Sequence, residues 1–136
     1  MKIGKNFGNW GSVEHYRDDI VTIGDNVVLG EGSVIVTHCP ISFYTGKPIY
    51  IKIGNNVYIG KRCFILPGTI IGDNVVIGAG SVVASDLPSD VVAAGNPCRV
   101  IRDITKKESQ RLKLLSEQGL VADGKEPDWS KNEDRQ

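Results

Sequence analysis

The chain has 136 residues, a size that suits one domain, and its 16 Lys and Arg balance its 16 Asp and Glu to a formal net charge of zero. With no basic run or stripe, the composition speaks against a nucleic-acid partner, and nothing in it reads as a secretory leader or as the roughly 18 apolar residues of a membrane span. Three scattered cysteines with no CxxC pair argue against a disulfide framework or a zinc site and for reduced thiols in a cytoplasmic setting.

Residues 1–19 (MKIGKNFGNWGSVEHYRDD) carry one echo of a later repeat, at Ile3-Gly4, and then lose it. They read as an irregular N-terminal cap over the open edge of the first repeat, because an exposed strand edge needs cover.

Residues 20–104 beat in sixes. Aliphatic residues return at Ile23, Leu29 and Ile35, and again at Ile53, Ile59, Ile65, Ile71, Ile77 and Val83; four places after most of them stands a small or branched residue, at Val27, Ser33, Val57, Cys63, Thr69, Val75 and Ser81. Six is neither a helix's period nor a strand's. Self-similarity at a fixed short period belongs to a solenoid, whose units cannot bury their apolar side alone. Valine and isoleucine favour pleated backbone, and Asp25-Asn26, Asn55-Asn56 and Asp73-Asn74 tolerate positive φ and turn corners. Three strand-and-corner units close a triangle of roughly 18 residues, and stacking triangles about 4.8 Å apart pairs every strand above and below. The predicted fold is all-β, a parallel β-helix.

The repeat breaks over residues 35–50, IVTHCPISFYTGKPIY. Ile35 and Ile53 are eighteen apart, so 36–52 can be drawn as one uninterrupted turn with Ile41 inward. That drawing also turns Lys47 inward, where an ammonium finds no partner. An excursion of residues 39–48, rejoining the coil along Ile49, Ile51 and Ile53, is favoured instead. His38 stands at its start, and histidine suits base chemistry near neutral pH; its other reading is a corner cap packed under the loop. Phe43 and Tyr44 offer flat apolar surface for a bound small molecule, or else pack on the coil or a neighbouring subunit. Cys39 and Cys63 fall at inward positions, where free cysteine behaves as a small hydrophobe rather than a nucleophile.

After Ile104, Thr105-Lys106-Lys107-Glu108 is a capping-box signature, followed by Leu112, Leu114, Leu115 and Leu120. A C-terminal helical region is predicted over 105–122, the helix itself running to about Gln118. Residues 123–136 form a polar tail apart from Trp129.

The runs IGDNVVLGEGSVIV and IKIGNNVYIGKRCFILPGTIIGDNVVIGAGSVV, closed by DLPSDVVAAGNPCRVIRDI, resemble the hexapeptide-repeat acyltransferases, especially the branch of galactoside, maltose and xenobiotic acetyltransferases, over roughly residues 20–104. The resemblance implies that the β-helix is left-handed, an exception to the usual crossover hand. It implies a homotrimer with three equivalent sites between subunits, acetyl-coenzyme A lying in the groove between coils, and no metal requirement. The implied reaction moves an acetyl group to a hydroxyl of a sugar or related small acceptor, with a histidine before a proline as general base and a backbone amide steadying the oxyanion. His38 is the residue that matches, although Cys39 intervenes before Pro40 and His38 stands about two residues nearer the preceding repeat than in the relatives.

The same resemblance lays the pantetheine arm along the backbone of Gly78, Ala79 and Gly80, and Arg99 and Arg102, three apart, carry guanidinium groups that suit the cofactor's phosphates unless they form a solvated face. Ser85 stands where the relatives often carry a lysine, which leaves Lys61, Lys106 or Lys107 as further phosphate candidates. Tyr58 replaces the tryptophan of the relatives' NNVWIG run as an aromatic wall beside the acceptor, or as a structural side chain. Two alternatives stand beside O-acetyl transfer: N-acetylation of an amino sugar or nucleotide-sugar, and a non-catalytic trimeric scaffold. A γ-class carbonic anhydrase would need three histidines per site, and only His15 and His38 exist here.

Overall fold

The computed structural model describes residues 1–38 and 49–118; the excursion expected at 39–48, with Cys39, Phe43 and Tyr44, and the tail 123–136 lie outside them. Four stacked coils carry three strands each. The first holds β1 (Lys2–Ile3), β2 (Phe7–Asn9) and β3 (Ser12–Val13), and the second β4 (Val21–Ile23), β5 (Val27–Leu29) and β6 (Val34–Ile35). The third holds β7 (Ile51–Ile53), β8 (Val57–Ile59) and β9 (Phe64–Ile65), and the fourth β10 (Ile70–Ile71), β11 (Val75–Ile77) and β12 (Val82–Val83). Above them, β13 (Val91–Gly95) and β14 (Cys98–Asp103) complete the stack.

The strands assemble into the three faces of a prism, β1-β4-β7-β10, β2-β5-β8-β11-β13-β14 and β3-β6-β9-β12. Its core consists of columns. Val27, Val57, Val75 and Val91 stack in register, as do Leu29, Ile59, Ile77 and Ala93. Ile23, Ile53 and Ile71 form a third column, and Ile35, Ile65 and Val83 a fourth. All are buried, and so are the inward Ser33, Cys63, Thr69 and Ser81. Aliphatic side chains of similar shape stack one coil apart, which is why one short sequence period suffices to fill the interior.

The edge between the first and second faces turns on Asn26, Asn56 and Asn74, whose φ angles are 59°, 55° and 59°. Their side chains link successive coils: Asn6 Nδ2 donates to Asn26 Oδ1 at 2.9 Å, Asn26 Nδ2 to Asn56 Oδ1 at 3.1 Å, and Asn74 Nδ2 to Asp90 Oδ1 at 2.8 Å. Asparagine thus supplies both the left-handed backbone and the polar ladder that the corner needs.

Two features depart from the sequence reading. Residues 1–19 are not an irregular cap, because β1, β2 and β3 pair in parallel with β4, β5 and β6. The period fails there because Asn9 takes the place beside Leu29 and the next corner is two residues shorter, so Val13 reaches the column of Ile35 ten residues after Ile3, not twelve. A 3₁₀ turn at Asp18–Ile20 joins this coil to the next.

Between the second and third coils, Ile53 stacks on Ile23 and not on Ile35. The step from second to third coil is thirty residues on every face (Val21 to Ile51, Val27 to Val57, Val34 to Phe64), against eighteen from third to fourth. The uninterrupted turn is therefore excluded.

The other departure is at the top, where the coil does not run on to residue 104. Gly95, at φ 108°, begins a reversal, and β14 returns antiparallel to β13 as the sheet's last strand.

Helix α1 (Lys106–Gln118) comes next. Its start is a closed capping box, Glu108 N–H donating to Thr105 Oγ1 at 3.2 Å and Thr105 N–H to Glu108 Oε1 at 2.9 Å. Asn74 Nδ2 donates to Ser109 Oγ at 3.2 Å, docking the first turn on the asparagine edge, and Leu112 and Leu114 are buried.

Candidate active site

The edge between the second and third faces is built from glycine-led triplets, Gly30-Glu31-Gly32, Gly60-Lys61-Arg62 and Gly78-Ala79-Gly80. Their third members are left-handed, with φ 75° at Gly32, 55° at Arg62 and 75° at Gly80. Close stacking demands the leading glycines: a Cβ on Gly60 would meet the backbone nitrogen of Ala79 at 2.7 Å. At Gly80 the opposite holds, since a Cβ there would meet nothing within 4 Å. Ala79 and Gly80 form a bare, exposed ledge of backbone.

Buried polar groups underlie this ledge. Gly78 O accepts from Ser81 Oγ at 2.6 Å and from Cys63 Sγ at 3.3 Å, and Gly60 O accepts from Ser33 Oγ at 2.6 Å. Gly95 N–H donates to Ser81 Oγ at 3.1 Å, which seats the β13–β14 turn over the same edge. Arg99 lies opposite Ala94, and a Cβ on Gly78 would come within 3.0 Å of the Ala94 Cβ. Arg99 therefore stands beside the ledge, exposed, with Nη1 donating to Cys98 O at 3.1 Å.

Arg102 takes a different position. The register shift between Val92 and Ala93 lets Arg99 oppose Ala94 and Arg102 oppose Val92, so a bulge carries onto one face two arginines that regular alternation would send to opposite faces. Arg102 nevertheless lies at the far end of β14, where Nη1 and Nη2 grip Glu108 at 2.7 and 2.8 Å. That pairing raises the guanidinium's pKa and holds the Glu108 carboxyl down to about 2.

His38 occupies the third edge, after β6. Glu14 Oε1 accepts the backbone N–H of Thr37 at 3.0 Å and of His38 at 3.3 Å, and Thr37 Oγ1 donates to Glu14 O at 3.0 Å. The exposed imidazole meets the Tyr16 ring edge to face, with centroids 4.7 Å apart. Ser85 is exposed on this third edge too, after β12. Tyr58 projects from the outer surface of the second face, between Val28 and Val76, and is 40% exposed.

Within one chain, the ledge and Arg99 thus come together, whereas His38 and Ser85 lie at the opposite border of the third face and Tyr58 and Arg102 stand apart from both. Cys63 is fully buried, its thiol nearer to Gly78 O, at 3.3 Å, than to Lys61 O, at 3.7 Å. Burial pushes the Cys98 thiol up, against the hydrogen bond with Ser81, so it is a neutral packing group. Among the described residues no three His, Cys, Asp or Glu side chains gather to hold a metal ion, and no helix is long and apolar enough to cross a membrane. Sequence reasoning missed Glu14 and Tyr16, which were hidden in the unread first coil. It also missed the donor roles of Cys63 and Ser81, whose inward position was legible but whose partners were not.

Two family models match the chain, the bacterial transferase hexapeptide (six repeats) over residues 50–85 and the hexapeptide repeat of succinyl-transferase over residues 20–42. Galactoside O-acetyltransferase of Escherichia coli (strain K12) is 47% identical over 114 residues, 79% of this chain and 56% of that protein. A putative acetyltransferase of Bacillus subtilis (strain 168), YvoF, is 35% identical over 122 residues, 86% of this chain and 68% of the relative. Among solved structures, a maltose O-acetyltransferase from Clostridium difficile 630 superposes with a TM-score of 0.62 at 44% identity, covering 76% of this chain and 59% of the other. A galactoside acetyltransferase in complex with coenzyme A gives 0.58 at 37% identity, over 78% of this chain and 61% of that one. The chain thus spans little more than half the length of the first of these relatives. The prism is the left-handed β-helix of these structures.

Proposed function

The chain belongs to the hexapeptide-repeat acetyltransferase family, and on that premise we propose that it transfers the acetyl group of acetyl-coenzyme A to a hydroxyl of a sugar or related small acceptor. The observation that carries this reading is the ledge at Ala79-Gly80, open where a side chain would otherwise stand and flanked by Arg99. Bare backbone offers amides to a flat pantetheine arm, and a guanidinium offers a fork to its phosphates. Acetyl-coenzyme A supplies an activated thioester.

In a ternary complex His38 acts as general base: it takes the acceptor's hydroxyl proton as the oxygen attacks the thioester carbon, then returns it to the departing sulfur. His38 and the ledge border the same face from opposite sides, so one chain does not join them. A homotrimer would, by setting the third edge of one subunit against the second edge of the next. Phe43, Tyr44 and Tyr58 are the acceptor-facing candidates, with Ser85 a secondary cofactor candidate. Scattered reduced cysteines support a cytoplasmic setting.

The test is a calorimetric titration of coenzyme A, with the mass taken by light scattering, followed by acetyl-coenzyme A with a panel of hydroxyl and amino acceptors. One site per chain on a trimer, with turnover on hydroxyls, is expected. Turnover on amines alone would replace O-transfer by N-transfer. No heat and no thermal stabilisation at millimolar ligand would replace the enzyme by a scaffold.

A further inference from the structure

We infer that Ser81 and Cys63 are positioning residues for the cofactor ledge, holding the Gly78 carbonyl inward so that the Ala79 N–H is fixed as an outward donor. The inference rests on the reading of this edge as the coenzyme A groove, but its geometric half stands on the coordinates alone. Both side chains are fully buried, and both donate to Gly78 O, at 2.6 Å from Ser81 Oγ and 3.3 Å from Cys63 Sγ. The carbonyl therefore points into the prism.

A peptide unit is planar, and in its trans form the C=O and the following N–H point in opposite directions. The Gly78–Ala79 bond is trans. With the carbonyl drawn inward, the Ala79 N–H is driven outward, and among the described residues it meets no acceptor. The arrangement repeats one coil below. Ser33 Oγ draws Gly60 O inward at 2.6 Å, and the Lys61 N–H likewise has no acceptor among the described residues. Two donors one coil apart thus face the same groove.

An unpaired amide on a surface would ordinarily be free to reorient with its turn, the more so beside glycines on both sides. The buried hydroxyl and thiol remove that freedom. They fix the orientation of the donor in advance, so that less ordering is needed when a ligand carbonyl arrives. This also gives Cys63 a task that an aliphatic side chain of the same size could not perform, and one that leaves its sulfur out of the chemistry.

The test compares Cys63→Ser, Cys63→Val and Ser81→Ala with the parent protein, each checked for melting temperature and assembly mass. Ala79 amide exchange and its proton shift in 1H–15N spectra are followed with and without coenzyme A. In the free parent protein, Ala79 should exchange rapidly while Gly80, whose N–H donates to Lys61 O at 2.8 Å, is protected. Coenzyme A should move the Ala79 proton downfield. Ser81→Ala and Cys63→Val should each weaken coenzyme A binding roughly five-fold, the worth of one hydrogen bond, and shrink that shift; Cys63→Ser, which keeps a donor, should restore both.

Unchanged affinity and shift in both deletion variants would overturn the inference. So would affinity that falls only in step with melting temperature while the Ala79 shift stays whole. If the parent binds no coenzyme A, the transferase reading fails by itself. Protection of Ala79 in the free protein would then still overturn the geometric half, and rapid exchange would support it.

Discussion

Arg102 and Glu108 hold each other by two parallel hydrogen bonds, Nη1 to Oε1 at 2.7 Å and Nη2 to Oε2 at 2.8 Å, and so tie the last strand to the first turn of the helix. The same carboxylate accepts the Thr105 N–H, so one acidic group closes the capping box and anchors the helix to the sheet. Its pKa falls from an ordinary 4.5 to about 2, chiefly through Arg102 and with help from Thr105, against the opposing effect of burial.

A pH dependence arises from that sign. The folded pKa lies below the unfolded one, so this stabilisation is complete above about pH 4.5 and is lost as pH falls toward about 2. Glu108→Gln should cost about 1 kcal/mol near neutrality, a figure set by a cap plus a partly exposed ion pair. Thermal melts followed by circular dichroism should show parent and variant converging as pH drops through this window. A gap that persists unchanged at pH 2 would assign the loss to something other than the charge.

The two arginines should separate in coenzyme A binding. Arg99 stands beside the ledge with its guanidinium bonded, among the described residues, to a backbone carbonyl alone, whereas Arg102 would have to leave Glu108 to reach a phosphate. Arg99→Ala is expected to weaken binding by about 1.5–3 kcal/mol, the range for a hydrogen bond to a charged group, with Arg102→Ala closer to neutral for affinity but lower in melting temperature. Equal losses in calorimetric titrations would mean that the pair opens on binding.

Legibility tracked repetition. The columns of Ile23, Ile53 and Ile71 and of Leu29, Ile59 and Ile77 could be read because every inward slot falls at a multiple of six residues from the last, and the prism interior takes only apolar or small side chains there. The first coil could not be read, since Asn9 and a shortened corner put Val13 two places early. The top of the stack has a similar offset: Leu87 bridges Ile71 at sixteen residues, and the chain then reverses at Gly95. The site was legible in part. Gly78, Ala79 and Gly80 lie on one edge because the repeat phases them, but the reversal that brings Arg99 beside them, the bulge that aligns Arg99 with Arg102 and the salt bridge that occupies Arg102 are pairwise contacts with no periodic trace. Tyr16 beside His38 is of the same kind, twenty-two residues apart in sequence and joined only by stacking.

Gly60→Ala probes the ledge from below. The added methyl would meet Ala79 N at 2.7 Å and Ala79 Cα at 3.0 Å, both backbone atoms, so the fourth coil must shift. Overpacking of this kind costs about 1–3 kcal/mol, and the displaced amide should weaken coenzyme A binding as well. Gly80→Ala reads the same edge differently. Its methyl meets no atom, yet φ 75° costs a non-glycine residue about 1 kcal/mol, so stability falls while any extra loss of binding reports contact with the ligand. Melting curves and titrations on both variants separate the two effects, and unchanged binding in both would remove the ledge from the site.

His38→Ala decides the chemistry. The backbone around His38 is held by Glu14 Oε1, which takes its N–H and that of Thr37, so truncating the exposed imidazole should leave the coil and its melting temperature intact. Coenzyme A affinity should also hold, because the backbone ledge and Arg99 carry it while the imidazole acts on the acceptor's proton. If His38 is the base, turnover with saturating acetyl-coenzyme A falls by the roughly 10²- to 10⁴-fold of a lost general base, in kcat more than in KM, since the proton moves only in the transition state. Tyr16→Leu removes the ring that meets the imidazole at 4.7 Å and should lower kcat by a smaller factor, with Tyr16→Phe recovering it. Near-normal turnover in His38→Ala would end the assignment and direct the search for a base to the residues just after it in the chain.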